Sequence, residues 1–110
     1  MIKAFKMKKI FSHAGQFKQK IATQDLLFGT RISLNSLATT ESLGLLPFDW
    51  FFIDMEHTEV PESKLSTILV TLRDKPCLVR IAKNDEVYIK RALDAGAEGL
   101  IIPKVRVYPV

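Results

Sequence analysis

Short apolar runs alternate along this chain with longer stretches whose apolar residues recur every three or four positions. Phe28–Leu34 carries apolar and β-branched residues and ends in Asn35 and Ser36, the pattern of a strand. Leu37 to Leu45 then reads as a short helix capped by Ser36, weakened at its end by Gly44 and barred from continuing by Pro47. Trp50 to Asp54 is a second strand, with Glu56 and His57 at its exit. Pro61-Glu62 opens a second helix, in which Leu65, Ile68, Leu69 and Leu72 make one apolar face before Lys75-Pro76 ends it. Cys77–Ile81 is a third strand. Asn84 or Asp85 can cap a third helix that turns Tyr88, Ala92 and Leu93 inward and stops at Gly96. Leu100–Ile102 is the fourth strand, and Phe17–Ile21 can form a short helix ahead of the first.

Strands this apolar, joined by helices through short loops, predict an α/β fold: a parallel sheet covered by helices with right-handed crossovers. In such folds the ligand site lies at the C-terminal ends of the strands. Three strands place polar groups there. The second offers Asp54, Glu56 and His57; the third offers Arg80, Asn84 and Asp85; the fourth offers Lys104 after Pro103.

The segment Asp54-Met55-Glu56-His57 is the most informative of these. Strand alternation puts Phe52, Asp54 and Glu56 on one face and Phe51, Ile53 and Met55 on the other. Carboxylates on a core-facing strand are costly unless metal, substrate or hydrogen-bond donors pair with them. Arg80, inside an apolar strand, needs an anionic or carbonyl partner. Asp54 or Glu56 can be that partner as a structural pair, or the guanidinium can clamp a substrate. Asp94 lies two residues before the helix stop, where the helix dipole opposes a carboxylate; a solvated side chain tolerates this, and a partner such as His57 explains it better.

Composition narrows the picture modestly. At 110 residues there is room for one domain, and no apolar run approaches the roughly 20 residues that span a bilayer. Residues 1–16 read as a basic N-terminal extension and 17–110 as the folded domain. Much of the net charge of +4 comes from Lys3, Lys6, Lys8, Lys9, Lys18 and Lys20, read as a solvated tail rather than a nucleic-acid or membrane contact. The N-terminus lacks the apolar core and small-residue cleavage site of a signal peptide, so a cytoplasmic protein is expected. The single Cys77 cannot form an internal disulfide and reads as a small buried hydrophobe. Phosphate loops, zinc-type Cys or His pairs and a nucleophile elbow are missing.

Four blocks of this sequence resemble, in order, those of the HpcH/HpaI aldolases, the metal-dependent class II pyruvate aldolases. They are Phe28-Gly-Thr-Arg-Ile-Ser-Leu34, Phe48-Asp-Trp-Phe-Phe-Ile-Asp-Met-Glu-His57, Val79-Arg-Ile-Ala-Lys-Asn-Asp85 and Ala92-Leu-Asp-Ala-Gly-Ala-Glu-Gly-Leu-Ile-Ile-Pro103. The resemblance runs from about Phe17 to Val105. It implies a (β/α)₈ barrel that cleaves 4-hydroxy-2-oxo acids to pyruvate and an aldehyde, usually as a homo-oligomer. A divalent magnesium, manganese or cobalt ion would chelate pyruvate and stabilise its enolate. By similarity, His57 would move the proton of the 4-hydroxyl with Asp94 as its dyad partner, and Arg80 would hold the keto or enolate oxygen. Asp54 and Glu56 would organise water around the metal.

The chain departs from that pattern in places. Met55 stands where glycine is frequent, Arg31 where tryptophan is frequent, and Ile81-Ala82-Lys83 replaces a proline-containing stretch. The family's metal ligands, one Glu and one Asp, come from the fifth and sixth strands, beyond residue 110. The expectation is therefore the N-terminal half of a TIM barrel, four parallel strands with intervening helices, from a truncated or frame-shifted gene. Such a chain would bind metal poorly and be inactive alone; a non-catalytic half-barrel that pairs with itself or with a full-length relative is the alternative.

Overall fold

The computed structural model describes residues 17–23 and 26–105; the basic extension read over residues 1–16 lies outside them. Helix α1 (17–23) precedes β1 (Gly29–Ile32), α2 (Leu37–Gly44), β2 (Trp50–Asp54), α3 (Leu65–Thr71), β3 (Cys77–Arg80), α4 (Glu86–Asp94) and β4 (Gly99–Ile101). A single 3-10 turn, Glu62–Lys64, leads into α3.

Local chemistry sets the helix ends. Ser36 Oγ accepts the Thr39 N–H at 3.2 Å to start α2, and Asp85 Oδ1 accepts the Val87 N–H at 2.8 Å to start α4. Of the two residues able to cap α4, Asp85 is the one used. The chain leaves α4 through Gly96, whose φ of 110° an L side chain rarely adopts. That turn lets the Ala97 N–H reach the Ala92 carbonyl at 3.1 Å, satisfying one of the helix's last acceptors.

The strands pair in parallel in the order β1-β2-β3-β4. Every crossover therefore steps the same way. With right-handed connections this puts α2, α3 and α4 on one face, whereas a doubly wound sheet reverses direction and is covered on both. The result is half of an α/β barrel.

Register sorts the residues between the two faces. Thr30 beside Phe51, Ile32 beside Ile53, and Phe51 and Ile53 beside Cys77 and Val79 point toward the helices. Phe51, Ile53 and Val79 are fully buried there against Leu65, Ile68, Leu69, Leu72 and Ala92. The apolar face read for α3 is thus the one it buries. In α4 the inward residues are Ala92 and the half-buried Tyr88 and Ile89, whereas Leu93 is half exposed. A stripe at spacing 88, 89 and 92 meets the sheet, and Leu93 falls beyond its edge.

The opposite face carries Arg31, Trp50, Phe52, Asp54, Leu78, Arg80 and Ile101. At its N-terminal end, Phe17 of α1 packs on Trp50 with ring centroids 6.1 Å apart. Two glycines make room on this face. A Cβ on Gly29 would stand 2.2 Å from the Trp50 ring, and one on Gly99 would stand 2.5 Å from Leu78 Cδ2.

Candidate functional site

At the C-terminal strand ends the register sets Asp54 directly beside Arg80. Residues side by side on neighbouring strands point the same way, so carboxylate and guanidinium meet. Arg80 Nε donates to Asp54 Oδ1 at 3.1 Å and Nη2 donates to Oδ2 at 2.5 Å, a two-point grip. The Glu56 N–H donates to Asp54 Oδ1 at 3.0 Å, and the Thr58 hydroxyl donates to the Asp54 carbonyl, folding the exit of β2 back over the carboxylate. Asp54 is left with no exposed surface.

Burial by itself would raise the Asp54 pKa. The Arg80 hydrogen bond, the Glu56 N–H and the positive charges of Arg80 and Arg31 outweigh it and hold the carboxyl below its ordinary range. The same hydrogen bond pushes Arg80 further above its already high value. The Arg80 guanidinium also lies over the Phe52 ring, 5.0 Å from its centroid, so one side chain orients it from below and another from the side.

Glu56 completes the group. Its Oε1 lies 3.5 Å from Arg80 Nε and 3.2 Å from His57 Nε2. The His57 side chain is 71% exposed, so the imidazole reaches out over the strand ends with Glu56 behind it. An imidazole backed by a carboxylate, beside a fixed guanidinium, can move a proton while a neighbouring oxyanion is stabilised.

The structure thus brings together Asp54, Glu56, His57 and Arg80, four of the five residues singled out above. Asp94 stands elsewhere. It is exposed at the end of α4 and lines a hollow with Glu62, Ser66, Arg91 and Ala95. A crossover helix runs back along the strands it joins, so its last turn returns to their N-terminal ends, away from His57. Among the described residues the imidazole's ionic contact is Glu56, and the expected His57–Asp94 pairing is not made. Asn84 and Asp85 are exposed, with Asp85 committed to the α4 cap, and Lys104 is exposed in a turn at φ 54°.

One member of the site was marked in the sequence only as a departure from the family pattern that could alter the pocket. Arg31 of β1, beside Phe52 in register, places Nε 3.1 Å from Asp54 Oδ2, with its side chain 49% exposed. The alternation of β1 was the available signal, because Thr30 and Ile32 take the helix side and leave Arg31 facing Asp54.

Among the described residues no group of three or more His, Cys, Asp or Glu side chains is placed to hold a metal ion. Asp54 is engaged by two guanidiniums, and Glu56 is shared by Arg80 and His57. These carboxylates do not fit the coordination sphere of a divalent ion, which needs oxygens turned toward one point. Among the same residues no helix is long and apolar enough to cross a membrane.

Residues 27–108 match the model of the HpcH/HpaI aldolase/citrate lyase family. A 5-keto-4-deoxy-D-glucarate aldolase from Salmonella paratyphi A is 39% identical over 92 residues, covering 82% of this chain and 36% of the relative. A 2-dehydro-3,6-dideoxy-6-sulfogluconate aldolase from Pseudomonas putida is 38% identical over 84 residues, 74% of this chain and 33% of that protein. The crystal structure of a HpcH/HpaI aldolase/citrate lyase family protein from Burkholderia cenocepacia J2315 superposes with a TM-score of 0.74 at 29% identity, over 82% of this chain and 37% of that one. Macrophomate synthase does so at 0.71 and 27%, over 86% and 33%. The chain spans about a third of the length of the relatives it matches. Together with the parallel half-barrel and the charged strand ends, these matches show that the chain belongs to the HpcH/HpaI aldolase/citrate lyase family.

Proposed function

We propose that this chain carries the oxo-acid-recognising and proton-transferring part of an aldolase site, one that cleaves a 4-hydroxy-2-oxo acid to pyruvate and an aldehyde. The observation that carries the reading is the buried Asp54 carboxylate holding Arg80 by two hydrogen bonds beside the exposed His57 imidazole. Breaking the bond between carbons 3 and 4 needs a base for the 4-hydroxyl proton and a stabilised oxygen for the electron pair that becomes the enolate. His57, backed by Glu56 rather than Asp94 within this chain, takes the proton. Arg80, fixed by Asp54 and Phe52, donates to the 2-oxo oxygen as its negative charge grows, and pays no reorganisation for it. The relatives named above are aldolases for 5-keto-4-deoxy-D-glucarate and for 2-dehydro-3,6-dideoxy-6-sulfogluconate, which supports an oxo-acid substrate class.

The divalent ion implied by the family would supply Lewis-acid stabilisation of the enolate, but the described residues do not offer it a site. Oxo-acid binding and turnover should therefore separate. Pyruvate binding to the 110-residue chain, followed by ligand-observed NMR, should weaken about tenfold in Arg80→Ala, the scale of one hydrogen bond to a charged group. It should be unchanged in Lys90→Ala, and equal binding by the Arg80 variant would overturn the reading. With magnesium or manganese added, no pyruvate release from a 4-hydroxy-2-oxo acid is expected. Release that disappears in His57→Ala would overturn that expectation.

One observation favours a second reading, a non-catalytic half-barrel that pairs with a second copy or with a full-length relative. Among the described residues β1 and β4 each have a strand on one side only, and such edges invite pairing. Sedimentation velocity decides it for a second copy, since a monodisperse monomer at tens of micromolar excludes self-pairing.

A further inference from the structure

Asp54 has more positive charge around it than it needs. Its Oδ1 already accepts Arg80 Nε and the Glu56 N–H, and its Oδ2 already accepts Arg80 Nη2 at 2.5 Å. Arg31 arrives as a second guanidinium on that same Oδ2, at 3.1 Å and through Nε. The two arginines differ in what they have left to offer. Arg80 is engaged along the edge that carries Nε and Nη2, is covered on one face by Phe52, and shares Glu56 as well. Among the described residues Arg31 has the Nε contact with Asp54 as its ionic partner, which leaves the forked end of its guanidinium available. That fork is the geometry that receives a carboxylate, sulfonate or phosphate by two parallel hydrogen bonds.

Position points the same way. Arg31 is half exposed at the end of β1, whereas Arg80 is 27% exposed two strands further in, on β3. Both lie on the open face of the sheet and share one carboxylate oxygen, so they are immediate neighbours. A ligand whose oxo group meets Arg80 therefore passes Arg31 within a few bonds.

We propose that Arg31 is a specificity-determining residue: it holds a second anionic group of the substrate, so that the site prefers dianionic 2-oxo acids over monoanionic ones. The proposal rests on the oxo-acid reading above and names the substrate class for it.

The test compares two 2-oxo acids of equal chain length, 2-oxoglutarate and 2-oxopentanoate, which differ by the terminal carboxylate alone. Both are titrated into the full 110-residue chain, with the Arg Nε–Hε resonances and calorimetry as readouts. The wild-type chain should bind 2-oxoglutarate about tenfold more tightly, the scale of one hydrogen-bonded charge pair. Arg31→Gln should abolish that preference by weakening 2-oxoglutarate far more than 2-oxopentanoate. Arg31→Lys, which keeps the charge but loses the fork, should retain part of it. A circular dichroism melt confirms that each variant is folded.

Equal affinity of the wild-type chain for both acids would overturn the role of Arg31 and leave the oxo-acid site standing. So would a preference that survives in Arg31→Gln, or a loss of both affinities by the same factor, which marks a residue that only braces Asp54. If neither acid binds, the oxo-acid site and the specificity it would carry fall together.

Discussion

On the side of the sheet that meets the helices, Phe51, Ile53, Cys77 and Val79 are buried among Leu65, Ile68, Leu69 and Leu72. On the other side the same strands turn Trp50, Phe52 and Leu78 to a half-covered surface that ends in Arg31, Asp54 and Arg80. The first face is held by apolar area removed from water, a non-directional force that cares about volume and little about which strand supplies it. The second face ends in a directional arrangement, in which one carboxylate fixes two guanidiniums and a turn N–H. Neighbouring residues of one strand thus serve two different ends, with stability placed on odd positions of β2 and chemistry on even ones.

The sharpest way to break that contrast is to truncate one ring on each side. Phe51→Ala should cost about 3–5 kcal/mol in urea denaturation, the range for losing a buried aromatic ring. Phe52→Ala should cost clearly less, because its ring is part exposed, but should loosen the Arg80 guanidinium that lies over it. Equal losses would mean that the two faces do not differ in the way described.

Asp54→Asn addresses the charged end. Its folded-state pKa is lowered below the ordinary 3.8, so its ionised form adds stability above about pH 4. That contribution disappears as pH falls through the folded value. The stability gap between wild type and Asp54→Asn should therefore be constant from pH 7 to about pH 4 and shrink below it. A gap that does not change in acid would show that the carboxylate charge is not what the strand ends use.

Gly29→Ala probes how closely the open face is packed at its N-terminal end. The new methyl would run into the rigid Trp50 indole, and an overpacked site costs about 1–3 kcal/mol. Gly99→Ala meets the flexible end of Leu78 and should cost less. Thermal melts that rank them the other way would show that Trp50 has room to move.

The smallest effect belongs to Cys77 on the helix side. Burial, with the nearby charge of Glu98, pushes its thiol from 9.0 up to about 12. Between those values the unfolded chain loses a proton that the folded chain keeps. Stability from this group is therefore whole below pH 9 and declines as pH rises toward 12. At pH 8 the native thiol should alkylate far more slowly than in urea, and equal rates would place Cys77 outside the core.

Much of this was legible in the sequence because it depends on near neighbours. Trp50–Asp54 is the strand that its apolar run announces, Ser36 and Asp85 cap the helices that follow them, and Gly96 ends α4. The four residues gathered at the site were also readable, since strand alternation and an arginine in an apolar run mark them as groups in need of partners. Leu93 was misplaced because a nine-residue helix meets the sheet along a narrow stripe, and one position of rotation carries a leucine past its edge.

The half-barrel was what the family resemblance implied; local pattern determined the order of strands and helices, the parallel sheet and the list of polar groups at its rim. Those follow from local propensity, capping and the short connections that limit where each strand can go. Tertiary structure decided the partners. That Asp54 meets Arg80 across 26 positions depends on the register between strands, which local pattern does not encode. The same holds for Arg31 joining them and for His57 leaning on Glu56 while Asp94 is carried away by the return of α4. Apart from the contact between the adjacent Glu56 and His57, each of these outcomes is a distance between segments far apart in the chain, and only the packed sheet fixes such distances.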